Sequence, residues 1–423
     1  MKLLKTSFFS AIITFVRIAS GFVAAKVVAL FTGPSGVALI GQFNNFISIV
    51  LTFANGAINT GVIKYTAEYE NDELQLKKLF STSLKISIYC SAIFGVLLLI
   101  LASSVSQLLF KATIYDNPIR VLGITIILYS LNSLLISILN GKKQIKAYTK
   151  VNTAGSIIGL IFTVILVFFY KIIGALYALV LSQSIVFFVT LIMIIKSSWF
   201  SWSYFNQPFD KKMARGLWDF SFMAIISALS VPVSQIVLRN LLINKLGVNA
   251  AGYWQGMMRV SDGYLLLITT SLGTYYLPKL ASLHTNKELR KEIFQGYKII
   301  LPAVLIGCII LYLFRFFIIH VLYTKQFETM AELFIYQLLG DFFKMAAWIL
   351  SYLMLAKALT KLFVITEIVF SISYVVLGYM GINFFGLKGI TIAFALNYIL
   401  YFLTMIFVFR KLLFNKDLCG SII

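Results

Sequence analysis

Charge is what this 423-residue sequence has least of. Asp, Glu, Lys and Arg together make up 12% of it, against about 25% in soluble proteins, while 60% is apolar and the mean hydropathy is +0.93. A soluble fold is excluded. The three cysteines, Cys90, Cys308 and Cys419, are odd in number and far apart, which argues against a disulfide framework and against a thiolate metal site. The two histidines, His284 and His320, have no partner at metal-ligand spacing, and no Gly-rich loop runs into Lys-Ser/Thr. Neither a metal, a cofactor nor ATP hydrolysis is therefore expected, and the chain reads as something other than an enzyme. Acids are scarcer than bases, 15 against 36, for a net charge of +21. That surplus could suggest nucleic acid, yet the bases are scattered among short loops with no basic domain to hold them.

What fills the sequence is apolar runs of about 20 residues, each enough to cross a ~30 Å hydrocarbon core as a helix. The first follows Lys2 and Lys5 directly. It is too long for a signal-peptide core and lacks a small-x-small cleavage site, so it reads as a retained helix. Breaks at charged, Gly, Pro and Asn positions predict spans near 7–30, 38–63, 83–104, 119–140, 151–170 and 174–195. A second six follow near 217–243, 251–278, 293–318, 331–356, 361–380 and 386–409. The fold class is all-α: a polytopic membrane protein of about twelve transmembrane helices. Loops on the N-terminal side of this weave carry 24 Lys and Arg and the opposite loops carry 7. The positive-inside rule then puts both termini in the cytoplasm.

The halves resemble each other at an offset of 215 residues. Lys64 falls on Lys279, Lys142 on Lys357, Lys146 on Lys361, Gly174 on Gly389, Ala178 on Ala393 and Lys196 on Lys411. This predicts a duplicated six-helix unit, with lobes over 1–205 and 206–423 around a central cleft. Pro232 and Pro302 each remove a backbone hydrogen bond within a span and are expected to kink it.

Five bases lie inside apolar spans: Arg17, Lys26, Arg239, Arg259 and Lys344. A charge at the bilayer centre costs ~2.5–3.5 kcal/mol or more, so each must face water, find a partner or snorkel. Arg17 lies roughly 15 Å into the first helix, near the midplane. Lys26 and Arg239 lie near the outer end, within snorkelling reach. Arg259 with Asp262, and Asp341 with Lys344, are three residues apart and share a helix face. They serve either as internal salt bridges or as the lining of a cleft that meets an anionic group. Glu367 is a further acid at membrane depth. Asn44, Ser48, Asn55 and Asn59 fall on one side of the second helix, where they either bind helices together or hydrogen-bond sugar hydroxyls. With five bases against Asp262, Asp341 and Glu367, the balance favours an anionic cargo over the cationic cargo of a multidrug antiporter. The outer loops, of about a dozen residues or fewer, leave no room for the periplasmic catalytic loop of a polymerase or ligase.

Several stretches resemble bacterial Wzx-type flippases, above all those for enterobacterial common antigen lipid III. They are Tyr253-Trp254-Gln255-Gly256, Ser261-Asp262, Tyr264-Leu265 and Leu277-Pro278; Leu333-Phe334, Gln337-Leu338, Gly340-Asp341, Lys344 and Ala356-Lys357-Ala358; and Lys26, Gly33-Pro34, Gly36 and Lys64-Tyr65. The family is the polysaccharide transporter branch of the multidrug/oligosaccharidyl-lipid/polysaccharide exporters. The resemblance implies two six-helix lobes in the bacterial inner membrane. It also implies translocation of undecaprenyl-diphosphate-linked oligosaccharide from the cytoplasmic to the periplasmic leaflet. On this reading Arg17, Arg259 and Lys344 contact the diphosphate, helped by Lys26 and Arg239. Asn44, Asn55 and Asn59 contact sugars, and Asp262, Asp341 or Glu367 couple the step to a proton or sodium gradient. A polysaccharide polymerase and chain-length regulator are the implied partners, with lipopolysaccharide biosynthesis as the setting. A composition rich in Lys, Ile, Phe, Asn and Tyr tilts the expectation toward an O-antigen unit over lipid III.

Overall fold

A computed structural model describes residues 2–283, 285–357 and 359–414, so His284 and Cys419 lie outside the described residues. The described chain is helical, without a strand. Its main helices are α1 (Lys2–Ala54), α2 (Asn59–Glu68), α3 (Glu73–Phe110), α4 (Asp116–Gly141), α5 (Ile145–Ile195), α6 (Lys211–Leu246) and α7 (Val248–Ser271). After a π-helical turn at Leu272–Tyr276 come α8 (Leu277–Ser282), α9 (Asn286–Leu313) and α10 (Arg315–Leu322). A 3-10 segment at Lys325–Leu333 then leads into α11 (Phe334–Ala356), α12 (Thr360–Phe385), α13 (Leu387–Val408) and α14 (Arg410–Phe414). Pro232 and Pro302 are accommodated inside α6 and α9.

Among the described residues nine helices are long and apolar enough to cross a membrane. Two of the nine, α1 and α5, contain a residue with non-helical backbone, Gly33 and Lys171. At Lys171 the chain turns back. Gly174 packs so tightly against the Leu166 carbonyl that a Cβ there would lie 1.8 Å from its oxygen, whereas a straight helix separates residues eight apart by about 12 Å. The helix α7 has the length of a span but carries Arg259 and Asp262, and it is not among the nine.

The side chains are arranged for lipid. Ile100, Leu108, Phe169 and Phe384 are among the most exposed, at 72%, 72%, 69% and 74%. Ser83, Ser87 and Ser91 form a buried stripe on α3, one turn apart. Small residues let backbones approach, the usual basis of helix contact in membranes. At the α3–α4 crossing, a Cβ on Gly95 would lie 2.6 Å from the Gly123 oxygen and one on Gly123 2.9 Å from the Gly95 oxygen. Helix ends toward the loops are conventionally capped. Asp72 accepts from the Gln75 N–H at 3.0 Å, and Thr285 with Glu288 forms a capping box before α9.

The 215-residue offset recurs in backbone geometry. Gln144, before α5, and Leu359, before α12, have φ/ψ of −78°/60° and −77°/59°. Lys171 and Gly386 have 51°/−126° and 59°/−136°. As Gly174 meets Leu166, so Gly389 meets Gly381, at the same spacing. By compactness the chain forms two units, one of the residues up to Thr32 with Leu39–Val233, the other of Gly33–Ala38 with the residues from Ser234 onward. The first part of α6 belongs to the first unit because Asp210 pairs with Lys78 at 3.4 Å and Ser221 donates to the Gly56 carbonyl at 3.0 Å.

The α5 turn places a lysine in a conformation that its counterpart fills with glycine. Such backbone costs a non-Gly residue ~1–3 kcal/mol, partly offset by the chain entropy that glycine loses on folding. Replacing Lys171 by Gly should therefore raise the thermal midpoint of the detergent-purified protein, and Gly386→Ala should lower it.

Candidate functional site

In the first unit, α1 stops at Ala54 well inside the apolar stretch 38–63, and α2 resumes at Asn59. The sequence predicts one helix here; Gly56 and Ala57 instead take positive φ, 63° and 53°. The chain tolerates this because the carbonyls released by the break find hydroxyls. Ser130 donates to the Ala54 oxygen at 3.2 Å and Ser221 to that of Gly56 at 3.0 Å. In membranes irregular backbone survives where it is buried in protein or lines a cavity, and here it does line one. A cavity of about 370 Å³ is bounded by Asn44, Ser48, Asn55, Asn59, Tyr129 and Ser133, with Ile47, Leu51 and Ala57 among its apolar walls.

All four predicted polar residues of the second span thus meet in one cavity, although a chain break, not one helix face, assembles them. The Asn59 amide nitrogen donates to Ser133 Oγ at 2.8 Å. Asn55 is 3% exposed, and its Oδ1, like that of Asn59, has no hydrogen-bond partner among the described residues. Arg17, also in this unit, is exposed and acts electrostatically on the Tyr129 hydroxyl. Among the described residues it has no hydrogen bond or ion pair. Lys26, nine residues on, is partly buried.

The second unit gathers the remaining charges. Asp341 on α11 is fully buried, with both carboxylate oxygens 2.7 Å from Ser261 Oγ, and it accepts from Tyr264 Oη at 3.0 Å and from Gln337 Nε2 at 3.3 Å. Lys344 shares the face, as its spacing predicts, yet makes no ion pair with Asp341. Its Nζ lies 5.0 Å from the Trp348 ring centre, 5.9 Å from that of Phe394 and 5.8 Å from that of Tyr398, within cation–π range. Asp262 is exposed on α7 and feels both Lys344 and Arg259. Glu367 on α12 is partly buried and acts on Tyr398 and Tyr401. Arg239 is 1% exposed, donates to the Gln255 side-chain amide oxygen Oε1 and lies over the Trp254 ring.

Gln337 and Trp348, each one helical turn from the charge it meets on α11, were within reach of sequence reasoning. Ser261 and Tyr264 on α7, and Phe394 and Tyr398 on α13, were not. Removing the Asp341 carboxylate strands its donors at ~1–3 kcal/mol for each left unpaired. Asp341→Ala should thus lower the thermal midpoint clearly more than Lys344→Met, which keeps the ring cage filled; equal midpoints would show that the hydrogen bonds contribute little.

The chain is 30% identical over 402 residues to the lipid III flippases of Escherichia coli (strain K12) and Shigella flexneri, which covers 95% of this chain and 97% of each relative. Its structure is similar to the inward-facing conformation of a multidrug resistance MATE family transporter of the MOP superfamily, with a TM-score of 0.77 at 17% identity over 95% of this chain and 99% of that one. That second likeness is one of fold. A family model described as "Polysaccharide biosynthesis protein" matches residues 10–332. With most of its length matched by that model and nearly all of it shared with the flippases, this multi-pass membrane chain belongs to the polysaccharide biosynthesis protein family.

Proposed function

We propose that this protein is a flippase that carries lipid-linked oligosaccharide from the cytoplasmic to the periplasmic leaflet of a bacterial inner membrane, with both termini in the cytoplasm. The observation that carries the reading is the full-length similarity to the two lipid III flippases. It supports the substrate class, a glycan on a lipid diphosphate. An O-antigen unit as the particular glycan is supported by composition alone. The step breaks no covalent bond. Its barrier is the removal of a charged diphosphate and many hydroxyls from water, and fixed charges and hydrogen-bond partners in the protein lower it by replacing that water.

Arg17 in the first unit, and Arg259 and Lys344 in the second, are assigned to the diphosphate. Arg17 is best suited, being exposed and without an ion pair among the described residues. Lys26 assists near the outer end. Arg239, enclosed against Trp254 and Gln255, is assigned a packing role in this conformation. Asn44, Asn55 and Asn59 are assigned to sugars. Asp262, Asp341 and Glu367 are the candidates for coupling to a proton or sodium gradient, and an associated polymerase and chain-length regulator would consume the product.

Deleting the gene should make an undecaprenyl-diphosphate-linked glycan accumulate in the inner leaflet, as measured by lipid extraction and mass spectrometry; absence of any such glycan overturns the reading. Arg17→Ala should abolish surface glycan while leaving the amount of protein in the membrane unchanged. Normal export by that variant would remove Arg17 from the diphosphate site.

A further inference from the structure

The connection 196–210, between α5 and α6 in the first unit, carries six aromatic residues among fifteen: Trp199, Phe200, Trp202, Tyr204, Phe205 and Phe209. It is fastened to the start of α3. Ser81 Oγ donates to the Tyr204 carbonyl at 3.3 Å and accepts from the Gln207 N–H at 2.7 Å. The Asp210 N–H donates to Thr82 Oγ1 at 3.1 Å, and Lys85 Nζ to the Gln207 carbonyl at 2.8 Å. Phe80 packs against it, with its ring centre 5.7 Å from that of Tyr204 and 5.9 Å from that of Phe205. Although the segment is fixed in this way, Trp202 and Phe209 stay 65% and 46% exposed. The connection starts where α5 ends, just after the exposed Ile192 and Ile195. An indole held where a spanning helix leaves the hydrocarbon is at headgroup level, the level at which Trp is enriched in membrane proteins.

Bases outnumber acids at this end of the unit. Lys64, Lys143, Lys77 and Lys78 are paired with Glu68, Glu70, Glu73 and Asp210 at 3.9, 2.7, 2.8 and 3.4 Å, and Asp72 caps α3. Left over are Lys196, Lys211, Lys212 and Arg215, at the end of α5 and the start of α6. All four are exposed and make no ion pair among the described residues. Lys142, just after α4, likewise makes none there; its Nζ stands 5.4 Å from the Trp199 ring centre and 5.7 Å from that of Tyr204.

We infer that the connection 196–210 is a docking site for anionic phospholipid of the leaflet that this end of the first unit meets. Trp202 and Phe209 sit among the headgroups, and the lysines at the two ends of the connection, Lys196, Lys211 and Lys212, draw the phosphate. Lys142, set over its two rings, adds to the same field. Each such base near an anionic surface strengthens binding, and their effects accumulate. A soluble acidic partner would account for the bases but not for two large rings held out beside helices that enter lipid. The site is separate from any that handles the glycan.

The test titrates the full-length protein in detergent with phosphatidylglycerol and phosphatidylcholine of equal short tails and reads bound lipid by native mass spectrometry. The parent should bind phosphatidylglycerol about tenfold more tightly, a preference that shrinks as salt is raised. Trp202→Ala should remove most of the preference, and so should Lys196→Gln combined with Lys211→Gln and Lys212→Gln. Trp202→Gln takes the place of Trp202→Ala if the latter does not fold. Lys111→Gln combined with Lys171→Gln, which neutralises exposed bases after α3 and at the α5 turn, should leave the preference intact. The inference is overturned if the parent shows no preference or if the Lys111 and Lys171 pair loses as much as the lysine triple. Full preference in the Trp202 variant would also overturn it, because the attraction would then be a diffuse field and not a site. Inorganic pyrophosphate that displaces phosphatidylglycerol at equal concentration would do the same, by making this a site for soluble phosphates. None of these outcomes bears on the flippase reading, which is tested by the accumulated glycan.

Discussion

Serine hydroxyls on the carbonyls of Ala54 and Gly56 are the contacts on which the first unit depends. A hydrocarbon environment offers no water to a broken helix, so every released backbone group must be paired within the protein. With Ser130 and Ser221 supplying donors, the chain can abandon helix geometry at Gly56 and Ala57. That break re-aims Asn55 and Asn59 toward Asn44 and Ser48, and the cavity exists because of it. Elsewhere the same constraint acts as uniformity: the described chain is mostly α-helical, interrupted by turns and caps, the connection 196–210, one π-helical turn and the 3-10 segment at Lys325–Leu333.

Charges in the two units are managed differently. In the second unit three of the charges inside the helices, on Asp341, Lys344 and Arg239, are held by neutral groups. Asp341 is held by hydroxyls and an amide, Lys344 by three rings, and Arg239 by a ring and an amide. Neutral partners stabilise a charge without cancelling it, so the field of each group persists. The first unit leaves Arg17 exposed near a cavity of hydroxyls and amides.

The duplication illustrates how closely sequence and backbone agree when the constraint is local. The offset of 215 was legible in four lysine pairs and a glycine, and the structure repeats it in the dihedral angles at Gln144 and Leu359 and at Lys171 and Gly386. Here the sequence even conceals the likeness, because a lysine in one copy holds the conformation that a glycine holds in the other. The turn is set by the close approach of the two helices it joins, at Gly174 against Leu166 and at Gly389 against Gly381, and those glycines are what the repeat retained.

By itself the sequence determined the helical class, the membrane setting, the internal repeat and the set of charges that cannot face lipid. Each follows from transfer energies and periodicities that single residues and short windows carry. It also placed Asn44, Ser48, Asn55 and Asn59 together, although by an argument from one continuous helix that the chain does not follow. Tertiary structure alone decided that α1 ends at Ala54, that the Asp341 carboxylate takes neutral donors while Lys344 turns to Trp348, Phe394 and Tyr398, and that Arg239 is enclosed where Arg17 is not. These outcomes depend on residues dozens to well over a hundred positions away: Ser130 and Ser221 for the break, Ser261 for the carboxylate, Phe394 for the lysine. A helix wheel holds no record of which distant donor or ring will be within reach, so partner choice becomes visible only when the helices are packed.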